Sequence, residues 1–294
     1  MHRSQGDTVD EIVVDLTCTR KFDHIHYVAL SRVTSLKGLH IINLQQDKIN
    51  INSSVKQEMQ RLRDQPSSNN FKYLKDIQSK FKIVFLNANS LHKQIPDVRL
   101  DQNIKSADIA CFCESRFCNN DSEQDTTIQD FNIYRQDSPL QHNKTRPYYG
   151  LAIYSKNPFP MGNPRRKETK NMNIEIAVLQ MEKPIKDLTL INKSPRVPVK
   201  DLLDEMEKTE KELQTENPLI FMGDFNINWS SDNHDKTRIL HYMQRHSCRQ
   251  LINTPTTDDN TTIDLIFTNL PESQINSGTL EVYYSPHKPI WIAI

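Results

Sequence analysis

The chain has 294 residues, 36% of them hydrophobic, with 37 Lys and Arg set against 37 Asp and Glu. This is the length of one large domain with an appendage, or of two average ones. A mean hydropathy of −0.67 leaves room for a core, and zero formal charge rules out a global basic field, so any nucleic-acid surface must be local.

No apolar run approaches the roughly 20 residues of a membrane span, and no basic-then-apolar leader opens the chain. An unsecreted protein is expected, and its 5 irregularly spaced cysteines read as reduced thiols rather than a disulfide framework. Only 6 glycines argue against a glycine-rich nucleotide cradle as the main theme.

Residues 1–51 read as a small α/β segment: an apolar strand at Ile12, Val13 and Val14, a helix over 27–33, and a second strand at 40–44. Strand, helix, strand predicts a piece of parallel sheet too short to own a full core. Residues 52–80 turn polar, with a short helix over 55–63 and a linker around 65–70.

From residue 81 to 294 short apolar strands alternate with helices and loops. Strands are predicted at 81–86, 109–113, 151–154, 174–180, 188–191, 219–222, 263–267 and 290–294. Helices are predicted at 199–215, with Leu202, Leu203 and Met206 on one face, and at 237–246, with Ile239, Leu240 and Met243 inward. The fold class is α/β (α+β).

Polar residues gather where these strands end. Asn87 and Asn89 follow the first strand, Glu114 the second, and Asp224, Asn226 and Asn228 follow Gly223 on the strand at 219–222. Asp264 sits within a later strand, and His287 precedes the last. Period-two spacing in extended chain would send Asp224, Asn226 and Asn228 to one side. Oxygen ligands and one His can surround a hard cation and a phosphate, and Mg²⁺, which keeps its waters, needs few of them. Each piece alone has a plainer reading, because Asn is common turn chemistry and a His after Pro is commonly surface.

Their order is more specific. Asn87, Glu114, the segment 149–154, Gly223-Asp224-Phe225-Asn226, Asp264 and Ser285-Pro286-His287 together resemble the endonuclease/exonuclease/phosphatase superfamily. Within it they resemble the apurinic-endonuclease-like nucleases of mobile elements. The resemblance implies a two-sheet β-sandwich flanked by helices, with DNA as substrate and Mg²⁺ or Mn²⁺ as cofactor. It implies that Glu114 and Asn87 hold the metal and that Asp224 is the general base, assisted by Asn226. His287 would donate to the phosphoryl oxygen while Asp264 fixes its tautomer. Asn89, Arg146, Asn192 and Lys193 would face the substrate, and Tyr148-Tyr149 would stack on a base or sugar. A DNA substrate would in turn place the protein in the nucleus.

Two positions depart from that family. Pro286 stands where it has Asp, which predicts weaker metal affinity. Asn192 stands where it commonly has Tyr and is too short to reach the same phosphate; losing one such donor costs on the order of a hundredfold in rate. A weakened relative that binds nucleic acid without cutting is therefore the alternative, and a phosphatase of the same superfamily is a third reading. No His/Cys/Asp spacing suits structural zinc.

The segments 2–8 and 27–39 resemble the last two signature motifs of Pif-type superfamily-one DNA helicases, and their fusion to this nuclease type resembles the end of a Helitron-like (Helentron) transposon protein. The resemblance assigns Gln5 and Gly6 to a vestigial nucleotide site and Arg32 to an arginine finger. No Gly-x-x-x-x-Gly-Lys-Ser/Thr phosphate loop occurs, so unwinding by this chain alone is excluded. The chain is expected to be a piece of a longer protein whose helicase and replication-initiator parts lie elsewhere.

Overall fold

Inward-facing apolar residues at every second position, on strands from two sheets, set the architecture of the larger of two units. The computed structural model describes residues 9–17, 22–23, 33–44, 49–50, 56–57, 74–77, 81–141, 143–156, 165–166, 173–181, 185, 187–213 and 218–294. Gln5, Gly6 and Arg32, the predicted helix at 27–33 but for Val33, and most of that at 55–63 lie outside them. The chain divides into one unit of Met1–Asn70 and another of Phe71–Ile294.

In the first unit β1 (Ile12–Asp15), β2 (Phe22–Asp23), β3 (Leu39–Ile42) and β4 (Ile49–Asn50) form two parallel pairs, β1 with β3 and β2 with β4. The register sets Val13 beside His40 and Val14 beside Ile41. Among the described residues here only Val14 and Leu16 are buried apolar side chains.

Among its described residues the second unit holds two six-stranded sheets. In chain order its strands are β5 (Lys82–Asn87), β6 (Ile109–Cys113), β7 (Phe131–Gln136), β8 (Leu151–Lys156), β9 (Arg165–Arg166), β10 (Ile174–Gln180), β11 (Asp187–Lys193), β12 (Leu219–Asp224), β13 (Arg249–Gln250), β14 (Asp264–Thr268), β15 (Asn276–Thr279) and β16 (Ile290–Ala293). The first sheet runs β15-β16-β5-β6-β8-β7 and the second β13-β14-β12-β11-β10-β9. Only β5 with β6 and β11 with β12 pair in parallel; the rest of these neighbours are antiparallel.

Alternation divides each strand between two environments. Ile83 and Phe85 of β5, Ala177 and Leu179 of β10, Leu188 and Leu190 of β11, and Ile220 and Met222 of β12 meet between the sheets. Val84 and Leu86 instead pack under the helices Leu91–Val98 and Gln102–Ser106. On the far side Ile176, Val178, Ile191 and Phe221 pack under Val199–Leu213 and His234–Arg245. The result is the expected two-sheet sandwich with helices on its outer faces.

Several boundaries moved. The strand at 188–191 extends to Asp187–Lys193, and the helix expected from 237 starts at His234, capped by Asn233 Oδ1 accepting from the Lys236 N–H at 2.8 Å. That helix buries Tyr242 beside Ile239 and Met243, with Leu240 only partly covered. β7 and β15 were not anticipated at all. Both lie at the edges of the first sheet, where one face of the pattern is relaxed.

Candidate active site

The site is the polar end of the inter-sheet core. Asn87 continues the inward series of Ile83 and Phe85, Asp224 that of Ile220 and Met222, and Asp264 lies two residues before inward Ile266. In register across the second sheet, Glu175 of β10 lies beside Asn192 of β11, Asn192 beside Asp224 of β12, and Asp224 beside Asp264 of β14. These four side chains therefore line one row on one face. All are buried, Asp224 and Asp264 at 1% exposure.

Local sequence explains the close approach. A Cβ on Gly223 would lie 1.9 Å from the Ile191 carbonyl oxygen, so only glycine lets β12 sit this tightly on β11 just before Asp224. After Asp224 the chain leaves the strand: Asn226 has φ 49°, and its backbone N–H donates to Asp224 Oδ1 at 2.9 Å. The expected extended series Asp224, Asn226, Asn228 is thus corrected to a turn that folds back on the acid. Left-handed backbone recurs around the site, with φ 43° at Asn89, 96° at Ser90, 50° at Glu114 and 54° at Arg116. The loops after β5 and β6 are held together by the Ser90 and Leu91 N–H groups, which both donate to the Glu114 carbonyl.

Asn87 joins the sheets. Its Nδ2 donates to Asp224 Oδ2 at 2.9 Å and to Glu114 Oε1 at 3.1 Å, while its Oδ1 accepts the Asn89 N–H at 3.0 Å. Asn87 is therefore a bridge between two acids, one on each sheet. Glu114 Oε2 accepts from Arg116 at 2.9 Å, and the same guanidinium donates to Asn89 Oδ1 at 3.1 Å. Arg116 was not anticipated; a cation two residues after the candidate ligand was its only sign.

His287 Nδ1 lies 2.9 Å from Asp264 Oδ2. The stretch before it is pinned by Ser285 Oγ, which donates to the Asn87 carbonyl at 2.7 Å and accepts the His287 N–H at 3.1 Å. Pro286 is exposed, and its carbonyl accepts the Asp258 N–H at 3.0 Å. With proline at 286, His287 still pairs with Asp264.

The electrostatics follow from burial and crowding. Burial, then the charge of Asp264, pushes Asp224 up to about 7, against the pull of His287, the Asn87 amide and the Asn226 N–H. Burial disfavours the charged imidazole of His287, but the Asp264 hydrogen bond and charge, with Asp224 and Glu114, push it up to about 9. At neutral pH the site thus holds a protonated His next to an acid poised near neutrality.

A divalent cation fits here. Among the described residues, Asp224, Asp264 and His287 each offer a ligand atom within 4.8 Å of the others, and Asp264 Oδ1 is buried with no hydrogen-bond partner. Carboxylate oxygens dominate the set, with Glu114 one Asn87 side chain away, which suits a hard cation better than a thiophilic one.

The predicted substrate contacts divide. Asn89 is exposed beside Arg116. Lys193, 2% exposed, is corrected to a buried residue: its ammonium donates to the Ser194 and Val197 carbonyls at 3.0 and 3.1 Å, and burial lowers its pKa. Its own carbonyl accepts from Asn226 Nδ2 at 2.8 Å. Arg146 is spent in a two-pronged pair with Asp121 at 2.7 and 2.9 Å. Asn192, expected to face substrate, is buried and donates to Glu175 Oε2 at 2.8 Å. Tyr148 stays exposed, with Lys144 over its ring. Glu175 itself was missed, although an acid in phase with Ala177 and Leu179 is a legible anomaly.

A family model described as endonuclease-reverse transcriptase matches residues 189–291, the stretch holding Asn192, Asp224, Asn226, Asp264 and His287. No curated protein matches the chain. Among solved structures it is similar to the endonuclease domain of TRAS1, a telomere-specific non-LTR retrotransposon, at 15% identity and TM-score 0.54, covering 73% of this chain and 97% of that one. It is also similar to the 3′ phosphatase NExo from Neisseria bound to product DNA hairpin (12% identity, TM-score 0.55, 73% and 99% covered). An AP endonuclease from Archaeoglobus fulgidus shows the same likeness (16% identity, TM-score 0.51, 73% and 99% covered). The chain has the endonuclease/exonuclease/phosphatase fold.

Proposed function

We propose that this protein is a hydrolase of the nuclease type that cuts a DNA phosphodiester with the help of Mg²⁺ or Mn²⁺. The observation that carries the reading is the convergence of Asn87 and Glu114 from one sheet on Asp224, Asp264 and His287 from the other. DNA as substrate is supported by the retrotransposon endonuclease and the DNA-bound phosphatase that share the fold.

In this reading Asp224, raised toward neutrality, takes the proton of the attacking water, and Asn87 and Asn226 hold its two oxygens in place. His287, kept protonated by Asp264, donates to the phosphoryl oxygen where charge builds. Asp264, through its unpartnered Oδ1, and Glu114 would hold the cation, which when bound would supply Lewis-acid stabilisation of phosphate charge. The amino-terminal unit belongs to the same reading as the tail of a Pif-type helicase in a Helitron-like element, supported by its motifs and by the parallel pairing of β1 with β3.

A second reading, binding without cutting, is favoured by Pro286 in place of an acid and by the Arg116 grip on Glu114. Nicking of supercoiled plasmid and of an abasic-site duplex, with Mg²⁺, Mn²⁺ or chelator, separates the two. Metal-dependent nicking that Asp224→Ala abolishes supports the nuclease. Salt-sensitive DNA binding without nicking supports the alternative.

A further inference from the structure

Glu175 is a buried carboxylate for which the proposed chemistry has no use. It is 5% exposed, faces the inter-sheet core in phase with Ala177 and Leu179, and among the described residues its hydrogen-bond partners are three neutral donors from three segments. Ser138 Oγ donates to Oε1 at 2.5 Å, the Gly150 N–H donates to the same oxygen at 2.9 Å, and Asn192 Nδ2 donates to Oε2 at 2.8 Å. A residue serving only the core would be apolar here, because an ionised carboxylate without a cation partner is costly to bury.

What the carboxylate reaches is the frame of the site on both sheets. Asn192 lies in register beside Asp224. The Gly150 carbonyl accepts the N–H of Ser115, the residue after Glu114, at 2.9 Å. Gly150 has φ 119°, and a Cβ there would lie 2.4 Å from Ser115 Oγ, so glycine is needed to seat the two loops. Following the bonds, Glu175 is tied through Asn192 to the strand of Asp224 and through Gly150 and Ser115 to the turn of Glu114.

We propose that Glu175 is a positioning residue for the reaction, fixing the Glu114 turn of one sheet relative to the Asp224 strand of the other. The proposal rests on the nuclease reading. It also gives Asn192 its role: Asn192 is the tie between Glu175 and the catalytic strand, in place of a contact with phosphate.

The test is steady-state nicking of an abasic-site duplex in Mn²⁺ by the full chain and by Glu175→Ala, Glu175→Gln, Asn192→Ala and Glu175→Ala/Asn192→Ala. Circular dichroism checks folding, and amide hydrogen exchange is followed at Gly150. Glu175→Ala is expected to lower kcat about 10- to 100-fold with KM within about twofold, since it touches geometry and not binding surface. Glu175→Gln, which keeps an acceptor for Ser138 and Gly150, loses less. The double variant is expected to be no slower than Glu175→Ala, as for residues acting through one link. Gly150 exchange is expected to rise about tenfold or more in Glu175→Ala.

Parent-like kcat in a folded Glu175→Ala overturns the proposal while leaving the nuclease reading intact, and so do fully additive losses in the double variant. If Glu175→Ala does not fold, Glu175→Gln decides: lowered kcat with faster Gly150 exchange supports the link, and parent values of both overturn it. A parent chain that cuts no DNA with either metal overturns the nuclease reading and this proposal with it.

Discussion

The mouth of the sandwich holds acids in two contrasting settings. On the second sheet, Asp224 and Asp264 are cross-strand neighbours, both buried, and His287 pairs with Asp264; Asp224 is pushed up to about 7, and among the described residues Asp264 keeps an oxygen with no hydrogen-bond partner. On the first sheet, the Glu114 side chain is 23% exposed and satisfied on both oxygens, by Arg116 and by Asn87. The same functional group is thus left wanting a cation on one side and already given one on the other. In the proposed nuclease, proton transfer and cation binding would fall mainly to the crowded pair, and framing to the satisfied one.

The largest expected effect breaks the crowded side. Asp224→Ala should remove the base and lower kcat for nicking by about 10²–10⁴-fold, measured in single turnover. His287→Ala should cost about 10²–10³-fold in the same assay, through the lost donor to the phosphoryl oxygen. On the framed side the effect should be smaller: Glu114→Gln keeps the Asn87 contact in part and should raise the Mn²⁺ concentration for half-maximal activity about 10- to 100-fold. Pro286→Asp returns a carboxylate to the site and should move that midpoint the other way.

The smallest effect is in stability. With chelator present, Asp224 rises from 3.8 to about 7 on folding and His287 from 6.5 to about 9. Both hold protons in the folded state that the unfolded chain has already released, so stability is greatest below pH 4 for the first and below 6.5 for the second. It falls as pH climbs through about 7 and then about 9, by at most ~1.4 kcal/mol per pH unit per proton. Urea midpoints measured across this range should decline. Asp224→Asn should flatten the part below pH 7, and a midpoint that rises with pH there would reject the crowding of the pair.

Much of this was legible in the sequence wherever the signal is local. The strands Ile109–Cys113 and Ile174–Gln180 were readable to the residue as apolar runs, and Gly-Asp-Phe-Asn after such a run singled out Asp224 and Asn226, though not the turn that joins them. Asn276–Thr279 escaped because this edge strand, Asn-Ser-Gly-Thr, has no apolar residue, and Phe131–Gln136 because Ile133 and Tyr134 stand side by side and blur its alternation. The site residues were readable one by one, but their hydrogen bonds were not. Lys193 looked like a surface cation until the loop that follows supplied two carbonyls to bury it. Asn192 could not be joined to Glu175, 17 residues earlier, without the antiparallel register of β10 and β11. Arg116 and Glu114 are close in sequence, yet only left-handed turns at both positions bring the charges together.

The most direct measurement is single-turnover cleavage of an abasic-site duplex in Mn²⁺ by the parent and by Asp224→Asn, which keeps the shape and removes the base. The account predicts that the parent cuts, that chelator stops it, and that Asp224→Asn is at least about a hundredfold slower while binding the duplex equally well. Equal rates for the two proteins would contradict it.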